Sequence, residues 1–275
     1  MIRINTNAGA MAAVQILNGT DQEMRATQKA ISTGKKVASA TDNGAVWTIA
    51  NKMTSDVTAY DRVRESNERA GAILDTAIAA TEAIMELLNE MKGKALAATQ
   101  PGLSTGSQGA LNADFIQLRD QITNAIANAS FDGTNMIGAT PASAISLGDS
   151  AGGNSITVAG ANMSLGGSVV TVTASSDVAS TTNAAATLAL VNTSITNVGT
   201  QLSTWGAGRK RFDVHMEFVK KLQDALNVGI GAITDADLSK ESAKLQSLQV
   251  KQQLGIQALS IANSSGQAAL SLFRN

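Results

Sequence analysis

The sequence predicts a mainly α protein, a long antiparallel helical bundle with paired N- and C-terminal coiled-coil helices and a small β-hairpin insert. Three observations carry that expectation. Residues 4–34 and 236–273 each hold apolar side chains at heptad-like spacing. The 275 residues include only two prolines, which leaves room for very long unbroken helices. Between Thr140 and Thr182 the composition shifts to Gly, Ser, Thr, Asn and Val, the makeup of short strands and turns. A chain with a helix-pairing stripe at each end folds back on itself or meets the next subunit. It points to assembly before catalysis.

The first helix is read from Ala10, Val14, Leu17, Asp21, Met24, Gln28 and Ile31, which alternate steps of four and three with polar interruptions. Gly34 stops it. Residues 37–45 read as a connector. The second helix is expected from about Gly44 to about Thr99, striped by Val63, Asn67, Ala70, Leu74, Ala77, Thr81, Ile84, Leu88, Met91 and Ala95. At ~1.5 Å per residue, such a helix is a rod on the order of 75 Å long. Gln100-Pro101-Gly102 ends it, and a third helix follows from about Thr105 with Phe115, Leu118, Ile122, Ala125 and Ala129 on one face. Ala144–Gly148 and Ser155–Ala159 flank a Gly- and Asp-containing turn and form a hairpin signal, and Ser168–Ala174 reads as a third strand. The fourth helix starts near Asn183 and runs through Trp205, Phe212 and Val219 to a soft point at Gly229–Gly231. Asp235-Ala236-Asp237 opens the last helix, which carries a ladder of Leu238, Leu245, Gln252, Leu259, Gly266 and Phe273 supported by Leu248 and Ala262. The candidate site is therefore an assembly seam: Val14, Leu17, Met24, Ile31, Leu238, Leu245, Leu248, Leu259 and Phe273.

Composition argues against most chemistry. Hydrophobic residues make up 44% of the chain but aromatics only 3%, so the apolar mass is small and aliphatic and suits helix–helix seams. A net charge of −1 gives no electrostatic case for nucleic acid or an anionic membrane. With no cysteine and one histidine, thiol chemistry is excluded and a metal site is not expected. No apolar run approaches the roughly 18–20 residues of a membrane span. The first eight residues lack the apolar core of a cleavable secretory signal, so export would use another route. Thr33-Gly34-Lys35-Lys36 fails as a phosphate loop, because Lys29 and Lys36 stand where Gly and Ser or Thr are required. Gly229-Ile230-Gly231 fails as a dinucleotide fingerprint, with Thr234 in place of the third Gly. His215 has no nucleophile partner and reads as a helix-surface or seam residue, and Trp47 and Trp205 as core or seam. No catalytic residue and no cofactor is expected.

The motifs, taken together and in order, resemble the bacterial flagellins. Ile4-Asn5-Thr6-Asn7 is similar to the opening of that family, and Ile31-Ser32-Thr33-Gly34 to its Leu-Ser-Ser-Gly turn. Ser39-Ala40-Thr41-Asp42-Asn43-Gly44-Ala45, followed by Ile49-Ala50-Asn51, resembles its Ser-Ala-Lys-Asp-Asp-Ala-Ala segment. Phe131-Asp132-Gly133, the run from Trp205-Gly206-Ala207 to Arg211-Phe212-Asp213, and Ala269-Leu270-Ser271-Leu272-Phe273-Arg274 have counterparts as well. The resemblance spans nearly all of residues 1–140 and 180–275.

It implies a terminal-helix, filament-core domain from 1–34 with 236–275. Residues 35–140 with 180–235 would form a helical bundle, and 141–179 a short β-rich surface insert. It also implies a homopolymeric extracellular filament for motility, exported unfolded by the flagellar type III machinery with a chaperone. Hook-associated and cap proteins would be further partners. A hook–filament junction protein of the same superfamily shares these terminal helices, and a soluble coiled-coil adaptor is the alternative from another class. One segment departs from the family. Leu88–Ala95 aligns with the stretch that an innate immune receptor reads in many flagellins, and there Glu90 and Gly93 replace an Arg and a Glu.

Overall fold

The structure, a computed structural model, describes residues 7–272, with side chains through residue 264. Ile4, Asn5, Thr6 and Phe273 lie outside the described residues. In chain order the elements are α1 (Ala8–Thr33), α2 (Gly44–Ala98), α3 (Thr105–Asn128), β1 (Ala144–Leu147), β2 (Ser155–Val158), α4 (Thr181–Thr234) and α5 (Leu238–Leu272). They fall into two compact units, one of residues 1–55 with 225–275 and one of residues 56–224. The sequence-derived limits at 34 and 236 lie inside the first unit, and segment 141–179 lies inside the second.

In the second unit the α2 stripe is buried along its whole length, from Val63 through Leu74, Ile84, Leu88 and Met91 to Ala98. Steps of four and three keep a single face of an under-wound helix turned inward, so every stripe position loses its water. Facing it on α4, at heptad spacing, are Val191, Val198, Trp205, Phe212 and Val219, with Phe115, Leu118, Ile122 and Ile126 of α3 completing the core. Buried polar positions bond across the core, although Asn67 Oδ1 accepts no hydrogen bond. Asn67 donates to the Phe212 carbonyl at 2.8 Å, and Gln108 donates to the Ala98 and Val178 carbonyls at 3.2 and 2.6 Å. Trp205 is fully buried and its Nε1 donates to the Ala159 carbonyl at 2.9 Å.

The hairpin is antiparallel, with Ala144 opposite Val158 and Leu147 opposite Ser155. Its turn is held by Asp149, whose carboxylate accepts from the Gly153 and Asn154 amides at 2.9 and 3.1 Å. The hairpin packs closely on α4 because residue 208 is glycine: a Cβ there would stand 2.8 Å from Val158 Cγ2.

Three sequence expectations are corrected. Ser168–Ala174 is not a strand. Val169, Val170 and Val172 are all buried, without the alternation of a pleated edge, and the Thr171 amide donates to Ser194 Oγ on α4 at 2.9 Å. Segment 141–179 is more than a surface insert, since Ala144, Val158, Met163, Val170, Val172 and Val178 join the core. Finally, α4 does not break at Gly229–Gly231 but continues to Thr234. Within the first unit, a Cβ on Gly229 would lie 2.9 Å from Met53 Cε, so that glycine admits the methionine.

Candidate functional site

The sequence-predicted seam falls on the α1–α5 pair of the first unit. Buried and half-buried positions of α1 recur at Ala13, Leu17, Thr20, Met24, Thr27 and Ile31, and those of α5 at Glu241, Leu245, Leu248, Gln252, Gly255, Leu259 and Ala262. The α5 series alternates steps of four and three, the spacing that keeps one helical face on a partner.

Contacts along the pair show antiparallel packing in one register. Gly34, at φ +67°, ends α1 in the left-handed conformation that a residue without Cβ adopts freely. The turned chain then pairs Lys35 with Asp235, and the Ala236 amide donates to the Gly34 carbonyl at 2.9 Å. At the other end Asn7 caps α1, its Oδ1 accepting from the Ala10 amide at 3.1 Å. The same side chain donates from Nδ2 to the Ala262 carbonyl at 2.7 Å, so one residue both caps a helix and ties it to its partner. Midway, Gln252 Nε2 donates to Asp21 Oδ1 at 2.8 Å. The polar interruptions in the two stripes therefore meet each other. In this register Leu248, only 2% exposed, is level with Met24.

Of the predicted seam residues, Leu17, Met24, Ile31, Leu245 and Leu259 are half-buried and Leu248 is buried. Val14 is 41% exposed and lines an open cavity with Met11 and Leu259. Leu238, 51% exposed, stands off the seam at the first residue of α5. Phe273 lies outside the described residues. Glu90 and Gly93 are both exposed on α2.

Sequence reasoning missed a second apolar face. Met11 and Ile16 on α1 and Val250, Leu254 and Ile261 on α5 are exposed, Ile261 by 69%, with Ile256 exposed at the flank of the seam. A helix apolar on more than one side is built to be covered on more than one side. The signal was present in the sequence as aliphatic residues between the ladder positions.

The connector after α1 is held electrostatically. Lys29 Nζ lies 2.8 Å from Asp42 Oδ1, and Asp42 Oδ2 also accepts from the Ala38 and Ser39 amides at 3.0 and 2.9 Å. The Lys29 ammonium first, then Ser39 and these amides, lower the Asp42 carboxyl from an ordinary 3.8 to about 2. His215 is half-buried on α4, its ring stacked near Phe218 at 6.5 Å between centroids. Among the described residues no group of three or more His, Cys, Asp or Glu could hold a metal, and no helix is long and apolar enough to cross a membrane.

Among the described residues, five helices, with α1 and α5 paired through a heptad seam and apolar side chains left exposed on both, define a structural helical protein rather than a catalytic pocket. The N-terminal helical region of bacterial flagellins matches residues 4–142, and the C-terminal helical region matches residues 188–273. Flagellin FljO of Caulobacter vibrioides is 46% identical over 98% of both chains, and a flagellin of Brucella melitensis is 35% identical over the whole of both. The crystal structure of Bacillus cereus flagellin shares the fold, with TM-score 0.50 at 19% identity over 56% of this chain and 88% of that one. The chain belongs to the bacterial flagellins, and it is a short form that serves as a structural subunit of the flagellar filament.

Proposed function

We propose that this flagellin polymerises through its paired ends, with the α1–α5 seam closing inside each subunit and the outer apolar face of the pair closing against neighbouring copies. The observation that supports the reading is the exposed row of Val250, Leu254 and Ile261 on a helix whose opposite face is already occupied. Burying an aliphatic side chain is worth about 1.5–3 kcal/mol, so a row repeated in every subunit sums to a stiff polymer. Function then resides in assembly rather than catalysis. The filament stands outside the cell, its subunits delivered unfolded by the flagellar export machinery with a chaperone. Hook-associated and cap proteins bound its two ends.

Leu254→Asp and Ile261→Asp test this. Both residues are exposed in the isolated subunit, so circular dichroism melts should stay unchanged while sedimentation and electron microscopy find no filaments. A charge carried into an apolar interface costs several kcal/mol per copy. Normal filaments from either variant would refute the proposal.

A further inference from the structure

We propose that a groove on α4 of the second unit receives the acidic ridge of α2 from a second copy of this chain, forming a subunit contact separate from the paired ends. The proposal rests on the reading of the chain as a polymerising subunit and names one of its interfaces.

The groove, of about 610 Å³, runs beside β2 and is floored by Ile156, Ala207, Val214 and Phe218. Phe218 and Val214 are 58% and 59% exposed, a costly apolar surface to leave in water. Two cations frame it, Lys210 and Arg211, and neither has an ion-pair partner among the described residues. The neighbouring Arg209 differs: it is held by Asp75 and Asp213 of its own chain. Asp75 and Asp213 are thus engaged by Arg209, while the two frame cations are in no ion pair among the described residues.

The second copy supplies the matching surface. Glu82, Glu86 and Glu90 repeat at steps of four along the exposed face of α2, and none is ion-paired among the described residues. Carboxylates stacked at i, i+4 repel one another within a helix, so the arrangement is one that an external cation relieves. Beside them lie the exposed small residues Ala79, Ala83 and Gly93, which let another helix approach closely. At ~1.5 Å per residue the ridge from Glu82 to Glu90 is about 12 Å long and the groove from Ala207 to Phe218 about 16 Å. Charge sign, apolar floor and length agree. Complementary charge of this kind sets partner choice and register more than raw affinity.

The test uses the full chain. Lys210→Glu with Arg211→Glu, and separately Glu86→Lys with Glu90→Lys, should each raise the critical concentration for polymerisation at least tenfold in sedimentation. The four substitutions combined should return it to within threefold of the wild type. Circular dichroism melts of the monomers control for folding, since all four positions are exposed. Because the chain has no cysteine, Ala83→Cys with Ala207→Cys should give a ladder of disulfide-linked multimers on mild oxidation of the polymer. Thr193→Cys with Ala83→Cys should give none. Wild-type polymer together with unaffected charge variants overturns the contact and leaves the filament reading standing, as does failure of the combined variant to recover or an absent ladder. Failure of the wild type to polymerise removes the filament reading and this contact with it.

Discussion

The meeting of Gln252 with Asp21 in the α1–α5 seam lends itself to a quantitative test. Both side chains are half-buried, with 2.8 Å between Gln252 Nε2 and Asp21 Oδ1. A hydrogen bond to a charged group contributes about 1.5–3 kcal/mol when buried. Water reaches both groups here, so ~1 kcal/mol is expected after screening. A leucine at either position would bury about half its side chain and contribute about 1 kcal/mol. Gln252→Leu should then be nearly neutral, because the gain in apolar burial offsets the lost bond, and the same holds for Asp21→Leu. The double variant loses that one bond and gains both leucines, so it should stabilise the pair by about 1 kcal/mol, a coupling of ~1 kcal/mol between the sites. Hydrogen exchange reads this directly as opening free energies of the α1 and α5 amides, with α3 as an internal control. Additive single effects, with no coupling, would refute the claim that the polar pair stabilises the seam. The double variant also tests register, since a uniform apolar ladder no longer penalises a slip by one heptad.

Other sites give further expected outcomes. Gly208→Ala should destabilise the second unit by ~1 kcal/mol in urea melts, because overpacking against Val158 costs about 1–3 kcal/mol and helix propensity returns about 1; adding Val158→Ala should restore stability, and a stabilising single variant would contradict the close packing. The Asp42 clasp has its carboxyl depressed to about 2, so its contribution is complete above the ordinary value of 3.8 and is lost as the pH falls toward about 2. Protection of the Ala38 and Ser39 amides should therefore persist at pH 4 and begin to fall near pH 2, while Asp42→Ala, which has no side-chain acceptor, should lack it at both. Glu90 presents an anion where resembling flagellins carry a cation, so the depolymerised protein should stimulate the vertebrate flagellin receptor poorly. A Glu90→Arg, Gly93→Glu variant should gain signal in reporter cells, and potent signalling by the unmodified protein would end that idea.

Much of this molecule is legible in its sequence, because a heptad stripe is a local property. The spacing of Val63 to Ala95 gives α2 and its buried face, and Gly34 and Pro101 mark where helices stop. Motifs at both ends give the family. A stripe, however, names a face and not its partner. That Asp21 meets Gln252, that Asn7 caps α1 while holding Ala262, and that Leu238 falls off the seam are decided by an antiparallel register, which the Lys35–Asp235 bridge sets across some 200 residues of chain. The same limit applies to residues 161–178. Their composition reads as a surface insert with a third strand at 168–174, yet Met163, Val170 and Val172 are fully buried, because α3 and α4 leave an apolar surface that only tertiary packing brings to them. Periodicity along one chain determines which side chains must leave water; the three-dimensional arrangement decides what they leave it for.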